Sequence, residues 1–227
     1  AIGGAASAVL RHNDRLGDRD RLLLKDIQSE SDRMTRLVEN ILQLGRLDDG
    51  NARIAADWYP FDEIAAAALH QLARTADTRR IRIDVQPPDV AIHADAALMT
   101  QLLVNLLDNA LRYAPSGEVL VRGVGVERQF RIEVLDSGPG LGEDAQRLLQ
   151  RFQRGPAQDA RGVGLGLAIC RAIVSVHGGT IAPSNRAEGG ARFHVTLPQP
   201  PYMPPASDPA DTTTEAPRSD GPSGAAP

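Results

Sequence analysis

Four polar residues near the middle of the chain recur at spacings of three and four. Asn105, Asp108, Asn109 and Arg112 would therefore share one face of a helix. A solvated helix face is the plain alternative, because the opposite face is leucine-rich. Asparagine side-chain oxygens can nevertheless bind Mg²⁺, which prefers hard oxygen ligands, and Arg112 could then contact a phosphate. Asn105 and Asn109 are the candidate metal ligands.

A second candidate site is the segment Asp136-Ser137-Gly138-Pro139-Gly140, which follows a strand-like run. Asp and Gly are common wherever a strand enters a loop, so the motif alone is weak. Its functional interpretation is specific, however. An aspartate at the end of a buried strand can accept a hydrogen bond from an exocyclic amine, and Gly138 and Gly140 let the backbone approach a flat ring.

A third candidate is the glycine-rich run 162–167 (GVGLGL), which opens a predicted helix. Free backbone N–H groups and the positive end of the helix dipole suit a polyphosphate there. The alternative is a flexible helix entry. The spacing differs from the dinucleotide fingerprint G-x-G-x-x-G, and the sequence has no G-x-x-x-x-G-K-[ST] loop. The run 151–154 (RFQR) precedes a Gly, Pro and Ala-rich stretch that has the composition of a mobile lid.

Periodic segments predict the elements that must position these residues. Helices are expected over 96–113 and 164–176, the second ended by Gly178-Gly179, and strands over 81–85, 119–126, 130–135, 180–182 and 191–197. In the first strand Ile81, Ile83 and Val85 alternate with charged residues. The order predicts an α+β fold, a two-layer α/β sandwich with a mostly antiparallel sheet and helices on one face.

The N-terminal part predicts a helical hairpin, with the end of one helix over 1–16, a turn at Gly17-Asp18 and a second helix over 20–49. The second helix carries an apolar stripe close to a heptad seam, formed by Leu24, Ile27, Met34, Val38 and Ile41. Packing of the hairpin on its own domain is one alternative. Pairing with a second copy into a four-helix bundle is the interpretation we favour.

The composition also limits which partners, disulfides and membrane spans the chain can have. The net charge of −4 and the sequence pI near 5.7 give no basic footprint for nucleic acid. Cys170 is the single cysteine, so an intrachain disulfide is excluded. No apolar run approaches the roughly 18 residues of a membrane span. We expect a cytoplasmic fragment, attached to a membrane only through segments upstream of Ala1. Residues 199–227 are rich in Pro, Ser and Thr and are expected to be disordered.

The order of the motifs is more specific than any one of them. The chain contains, in this order, the helix with Asn105 and Asn109, the D-x-G-x-G motif, the R-F-x-R motif, the lid-like stretch and the G-x-G-x-G motif. This order resembles the N, G1, F and G2 boxes of sensor histidine kinases. The resemblance covers residues 1–198. It implies the GHKL (Bergerat) ATP-binding sandwich shared with Hsp90-like, MutL-like and gyrase-type ATPases. The run 162–181 (GVGLGLAICRAIVSVHGGTI) is similar to Kdp-type potassium-responsive sensor kinases, which implies potassium sensing.

The resemblance implies three parts: a dimerisation and phosphotransfer stalk over 1–50, an ATP-binding domain over 51–198, and the tail. It implies that Asn105 and Asn109 bind Mg²⁺-ATP, that Asp136 binds the adenine amino group, and that Arg154 touches the terminal phosphate. Asn105 and Arg154 would be the catalytic residues. The remaining nucleotide contacts would come from Arg112, Tyr113, Gly138, Gly140, Phe152, Gly162, Gly164, Leu165 and Gly166, of which Phe152 would anchor the lid.

Two departures from the family pattern stand out. Ala191 lies near a position where relatives often have Thr or Ser, which puts one polar contact in doubt. The H box, H-[DE]-L-R-T-P-L, is absent, and Asn13-Asp14-Arg15 after His12 does not match it. We therefore expect a chain truncated before its phosphoacceptor histidine, which alone does not autophosphorylate. His177 at a helix end is expected to act as a cap.

The implied activity is that of a protein histidine kinase, which passes the γ-phosphate of ATP to a stalk histidine and then to an aspartate of a response regulator. Homodimerisation through the stalk is implied as well. A GHKL-type hydrolytic ATPase is one alternative, but it would carry Glu at Asn105 to activate water. A non-catalytic ATP-binding and dimerisation module is the other.

Overall fold

The computed structural model describes residues 17–48, 54–73, 77–88, 90–142, 145–150 and 165–201, with Gly4, Ala8 and Val9 before them. The predicted helix over 1–16 and the predicted tail therefore lie largely outside the described residues. None of the helices in the described part has the length and apolar character needed to cross a bilayer.

The chain forms four helices and seven strands within these ranges. In order they are α1 (Asp18–Asp48), β1 (Asp57–Pro60), α2 (Phe61–Leu72), β2 (Ile81–Gln86), β3 (Ala91–Ala94), α3 (Ala96–Tyr113), β4 (Val119–Val126), β5 (Gln129–Leu135), α4 (Gly166–Val176), β6 (Thr180–Asn185) and β7 (Ala191–Pro198). Short 3₁₀ turns occupy Thr78–Arg80 and Ala145–Leu149.

Five strands form the main sheet in the order β2-β4-β5-β7-β6. Only β2 and β4 run parallel, and the other three pairs are antiparallel. A separate antiparallel pair joins β1 to β3, with Asp57 opposite Ala94. The prediction of a mostly antiparallel sheet is confirmed.

One face of the sheet is covered by helices. On β5 the inward residues Phe130, Ile132 and Val134 are buried, and they alternate with outward residues as a strand with one solvated face requires. Phe61 at the start of α2 packs on Phe130, with ring centroids 5.0 Å apart. The leucine face of α3 fills the space between these layers. The α/β sandwich is thus confirmed.

The outer face of the sheet carries charged side chains. Arg122 lies between Asp84, at 3.2 Å, and Glu133, at 3.4 Å. Hydrogen bonds from Gln86 and then from Arg122 lower the pKa of Asp84. These pairs are solvated and join neighbouring strands, so we assign this face no site.

Helix α1 has two unlike ends. Leu44 and Leu47 are buried and α1 packs there against α4. Farther toward the N-terminus its apolar side chains are exposed, namely Leu22, Leu23, Ile27, Met34, Val38, Ile41 and Leu42. A 31-residue helix with this much exposed apolar surface needs a partner. The division of the chain at residue 50 stays a prediction, because Leu44 and Leu47 belong to the core of the sandwich.

Two features differ from the sequence prediction. The alternation of Ile81, Ile83 and Val85 with charged residues predicted a half-buried strand, but Ile83 is 36% exposed. It lies on β2, an edge strand with a neighbour on one side only. Helix α2 and strands β1 and β3 were not predicted, although α2 buries Phe61 and Ile64 in the core.

Candidate functional site

Asp136 lies where β5 ends, and it is 4% exposed, the only buried charged residue in the described part of the chain. Its Oδ1 accepts hydrogen bonds from the backbone N–H groups of Gly138, at 2.8 Å, and Ala191, at 3.1 Å. Its own N–H donates to Ala191 O at 3.0 Å. The carboxylate is therefore fixed by backbone on one oxygen. Among the described hydrogen bonds none uses Oδ2, which leaves that oxygen for a ligand donor.

The glycines after Asp136 are required by close packing. A Cβ on Gly138 would lie 2.7 Å from the carbonyl oxygen of Tyr113. Gly140 has φ +86°, and a Cβ there would lie 2.7 Å from Asn185 Oδ1. That Asn185 oxygen accepts from Leu141 N at 2.7 Å, so β6 holds the loop that follows the motif. Asn185 was not predicted, since it is more than forty residues away.

A tight turn between β6 and β7 reaches the same aspartate. Gly190 has φ +94°, and a Cβ on it would lie 2.0 Å from Asp136 O. The same carbonyl oxygen accepts a hydrogen bond from Arg186 Nη1 at 2.8 Å. Gly190 and Arg186 were also missed by sequence reasoning. The doublet Gly189-Gly190 just before a predicted strand was the available signal, but it did not indicate what the turn would contact.

Asn105 lies in the middle of α3 and faces the beginning of α4. Its Oδ1 accepts from Gln101 Nε2 at 3.2 Å, and its Nδ2 is buried without a hydrogen-bond partner among the described residues. A Cβ on Gly166 would be 3.9 Å from the Asn105 amide. The Cys170 thiol lies close enough for this amide to affect its pKa, but sulfur is a weak acceptor, so the amide nitrogen keeps capacity to bind a ligand.

The thiol of Cys170 packs behind Asn105. Burial raises the pKa of Cys170 far above its ordinary value, and the nearby Asn105 amide opposes this rise only in part. Its Sγ lies 3.9 Å from Leu102 O on α3. Cys170 is thus a neutral core residue and not a nucleophile.

The polar face of α3 fits a magnesium-bound nucleotide in its donor types. Asn105 and Asn109 share that face, and neutral amide oxygens suit Mg²⁺ that is held mainly by substrate phosphates. An amide oxygen has two lone pairs, so Asn105 Oδ1 can keep Gln101 and bind a second group. Arg112 donates from Nη2 to Asp108 at 2.7 Å, so the predicted phosphate contact would require it to leave this pair.

The residues of the turn that follows α3 are hydrogen-bonded by Arg80, which precedes β2. Arg80 Nη1 donates to Ala114 O at 2.8 Å and to Gly117 O. Tyr113, just before this turn, presents its carbonyl to Gly138. The turn after α3 and the loop after β5 therefore form one wall.

Helix α4 begins opposite Asn105 of α3. Leu165 precedes it, buried, and no side chain caps its first turn. Among the described residues no side chain accepts from its first N–H groups, which are therefore available to an anion. Gly166 is the described member of the predicted phosphate loop beside Leu165. Phe152, Arg154, Gly162 and Gly164 lie outside the described residues, and their roles stay predictions.

The other end of α4 is capped by His177, as predicted. Nδ1 is 2.7 Å from Ile173 O, and Asp95 N donates to Nε2 at 3.1 Å. A carbonyl only accepts and an amide N–H only donates, so these two contacts together require the tautomer with its hydrogen on Nδ1. Asp95 in turn caps α3, accepting from Ala97 N and Leu98 N at 3.1 Å each.

Two family models match the chain. Residues 94–201 match the histidine kinase-, DNA gyrase B- and HSP90-like ATPase family, and residues 1–50 match the His Kinase A (phospho-acceptor) domain. The first match contains every described residue of the site above except Arg80.

Two curated relatives are sensor proteins as well. Over 169 residues the chain is 43% identical to the Sensor protein KdpD of Escherichia coli, covering 73% of this chain and 19% of that protein. It is 31% identical to KdpD of Clostridium acetobutylicum, covering 87% of this chain and 23% of the relative. The chain thus spans about a fifth of these relatives. The resemblance to Kdp-type sensor kinases is confirmed.

Solved structures share the fold. A full-length ShkA structure in complex with AMPPNP superposes with a TM-score of 0.69 at 25% identity, over 87% of this chain and 42% of that one. The histidine kinase AdeS of Acinetobacter baumannii superposes with a TM-score of 0.68 at 22% identity, over 87% and 93% of the two chains, which shows the fold alone.

Proposed function

Because this chain belongs to the sensor histidine kinases, we propose that it is their ATP-dependent kinase core: it binds ATP with Mg²⁺ and supplies the γ-phosphoryl group to a stalk histidine. The acceptor histidine would pass the group to an aspartate of a response regulator. The observation that carries the proposal is Asp136, a buried carboxylate held by two backbone amides on one oxygen only.

Adenine recognition follows from that geometry. The exocyclic amine of adenine is a donor, and Asp136 Oδ2 is an acceptor fixed at the end of β5. Guanine has a carbonyl oxygen at the same position, and two acceptors facing each other repel. Gly138 and Gly140 let the loop pack closely on Tyr113 and Asn185, where any side chain would collide, and this packing fixes the loop beside Asp136. The site should therefore prefer ATP to GTP.

The phosphates would lie between α3 and α4. The uncapped N-terminus of α4 offers N–H groups, and Asn105 and Asn109 offer amide groups from the opposite side. Bound Mg²⁺ would neutralise phosphate charge as the transfer proceeds. A nitrogen of the acceptor histidine would form the N–P bond while the bond between the β,γ-bridging oxygen and the γ-phosphorus breaks and ADP departs.

The acceptor is a histidine and not water, since the one carboxylate on the polar face of α3, Asp108, is paired with Arg112. Asn105 stands where a hydrolytic relative would need a carboxylate, and an amide does not take a proton from water at neutral pH. A histidine nitrogen supplies its own lone pair. This favours the kinase over the hydrolytic ATPase, and it leaves the non-catalytic binding module as the second candidate.

Binding is tested first, by titrating the chain with ATP and GTP in the presence of Mg²⁺. Asp136→Asn should weaken ATP binding at least about tenfold, because an amide nitrogen then faces the adenine amine. The same substitution should reduce the difference in affinity between ATP and GTP, since that nitrogen can donate to the carbonyl oxygen of guanine. Asp84→Asn, an aspartate on the outer sheet face, is the matched control and should bind as the parent does. Equal ATP affinity for Asp136→Asn would refute the adenine assignment.

Transfer is tested by mixing the chain with Mg²⁺, γ-labelled ATP and a stalk protein that carries an H box and lacks its own ATP site. Label on the partner that is acid-labile and base-stable identifies phosphohistidine. Binding of ATP without any labelled protein would leave the non-catalytic module, and release of free phosphate would indicate the hydrolytic ATPase.

A further inference from the structure

We propose that His177 is a positioning residue for the nucleotide phosphates, because it fixes how far α4 lies along α3. The proposal rests on the proposed function, since it concerns the same ATP site. His177 itself is at the opposite end of α4 from the predicted phosphate loop, so its effect would pass through the helix.

Three contacts along the two helices define their register. Asp95 N meets His177 Nε2, Leu102 O meets Cys170 Sγ, and the Asn105 amide meets Gly166. Leu102 lies seven residues after Asp95, and its partner Cys170 lies seven residues before His177. The helices are therefore antiparallel and in step along their contact.

The lengths of the two helices carry the register from one end to the other. Asp95 and Asn105 are separated by ten residues, or about 15 Å along α3, at 1.5 Å per residue. Gly166 and His177 are separated by eleven, or about 16 Å along α4. A hydrogen bond at the Asp95 end thus determines where the first turn of α4 stands relative to Asn105 at the site.

Between the two ends, the contact of Cys170 Sγ with Leu102 O involves only a weak sulfur donor, and the other contacts do little to fix the register. The side chains between the two ends are aliphatic, such as Leu102, Leu106 and Ile169, and dispersion contacts between them are non-directional. A hydrogen bond is directional and is lost when the atoms move by an ångström. The bond between His177 and Asp95 is the directional contact at the end remote from the site.

The anchor at that end is itself rigid. Asp95 uses its side chain for three backbone donors, the two at the start of α3 and Ala55 N at 3.1 Å. Its N–H is therefore held in place when it donates to His177. Meanwhile Nδ1 of His177 is bonded to Ile173 O within α4, so the ring moves with that helix. His177 therefore connects α4 to the rigidly held Asp95 at the start of α3.

Two substitutions separate the roles of the imidazole nitrogens. Asn ends at the δ position, so His177→Asn keeps a donor for Ile173 O but does not reach Asp95. Gln extends to the ε position, so His177→Gln keeps an acceptor for Asp95 N–H. A purely capping role would favour the Asn variant, and a positioning role favours the Gln variant.

The experiment measures dissociation constants of ATP and adenosine, with Mg²⁺, for the full chain and both variants. His177→Asn should weaken ATP binding about three- to tenfold, which is the contribution of about one hydrogen bond. Its dissociation constant for adenosine should stay within about twofold of the parent value. His177→Gln should bind both ligands nearly as the parent does. Hydrogen exchange at the Asp95 amide should be protected in the parent and the Gln variant only.

The outcomes separate the two proposals. If the parent binds ATP but His177→Asn binds it equally well, or loses ATP and adenosine alike, the positioning role is wrong and the ATP site stands. If the parent does not bind ATP, both proposals fail. If His177→Asn does not fold, the Gln variant decides, because weakened ATP binding with a protected Asp95 amide would contradict positioning.

Discussion

Arg186 Nη1 donates to the backbone carbonyl of Asp136 at 2.8 Å, and the N–H of Arg186 donates to Gly190 O at 3.0 Å. The turn between β6 and β7 is thereby joined to the residue proposed to recognise adenine. Asp136 is held on both its backbone and its side chain by residues about fifty positions later in the chain.

Removal of this support should weaken nucleotide binding. Arg186→Ala deletes one hydrogen bond to Asp136 O, and we expect ATP affinity to fall about threefold to tenfold as the loop loosens. Arg131→Ala, an exposed arginine on β5, removes the same charge away from the site and should leave affinity unchanged. Equal effects of the two substitutions would show that net charge, and not the contact, matters.

Gly138→Ala should abolish most ATP binding. Its Cβ would lie 2.7 Å from the carbonyl of Tyr113 and 3.0 Å from Asp136 Oδ1, so the loop has to move away from α3. We expect a loss of at least about tenfold in affinity, measured by calorimetry. Gly45→Ala on α1 is the control, since nothing lies within 4 Å of its Cβ. That change should raise stability by up to about 1 kcal/mol and leave binding intact.

Cys170 predicts a loss of stability at alkaline pH. Burial raises the pKa of its thiol above the ordinary 9.0, so the folded chain keeps the proton while the unfolded chain releases it. Unfolding is therefore favoured as pH rises above about 9, by up to about 1.4 kcal/mol per pH unit. Chemical denaturation at pH 8, 9 and 10 measures the slope, and Cys170→Ala should remove this contribution. The same slope in both proteins would mean that other groups cause it.

The exposed stripe of α1 predicts a dimer. Val38→Asp places a charge within the stripe and should convert the dimer to a monomer in sedimentation equilibrium, because an unpaired charge is costly to bury. Lys25→Glu, on the opposite side of the same helix, should leave the dimer unchanged. A parent chain that is monomeric at high concentration would contradict the prediction.

Local periodicity predicted the elements that are regular and carry a clear apolar face. Helix α3 shows leucines at helical spacing, and β4 and β5 alternate around the turn at Glu127-Arg128, so their approximate bounds were predictable. Helix α2 was missed because its middle is alanine-rich, and its role depends on Phe61 reaching β5. Short strands such as β3 carry too few residues to show a period.

The site was predictable as a set of motifs but not as a structure. Asp136 and Gly138 are neighbours in sequence, so their partnership was predictable. The contacts of Asp136 with Arg186 and Ala191 depend on the pairing of β5 with β7, which no local pattern encodes. The burial of the Asn105 amide and its position opposite Gly166 likewise arise only when α3 and α4 pack.

The two edges of the main sheet have a consequence for behaviour in concentrated solution. On β6 the edge carries Pro183, which has no N–H to offer an incoming strand, and on β2 it carries the charged Arg82 and Asp84. Strand addition at either edge is therefore disfavoured. Contact between copies of this chain through α1 is therefore not expected to lead to strand addition at these two edges of the described main sheet.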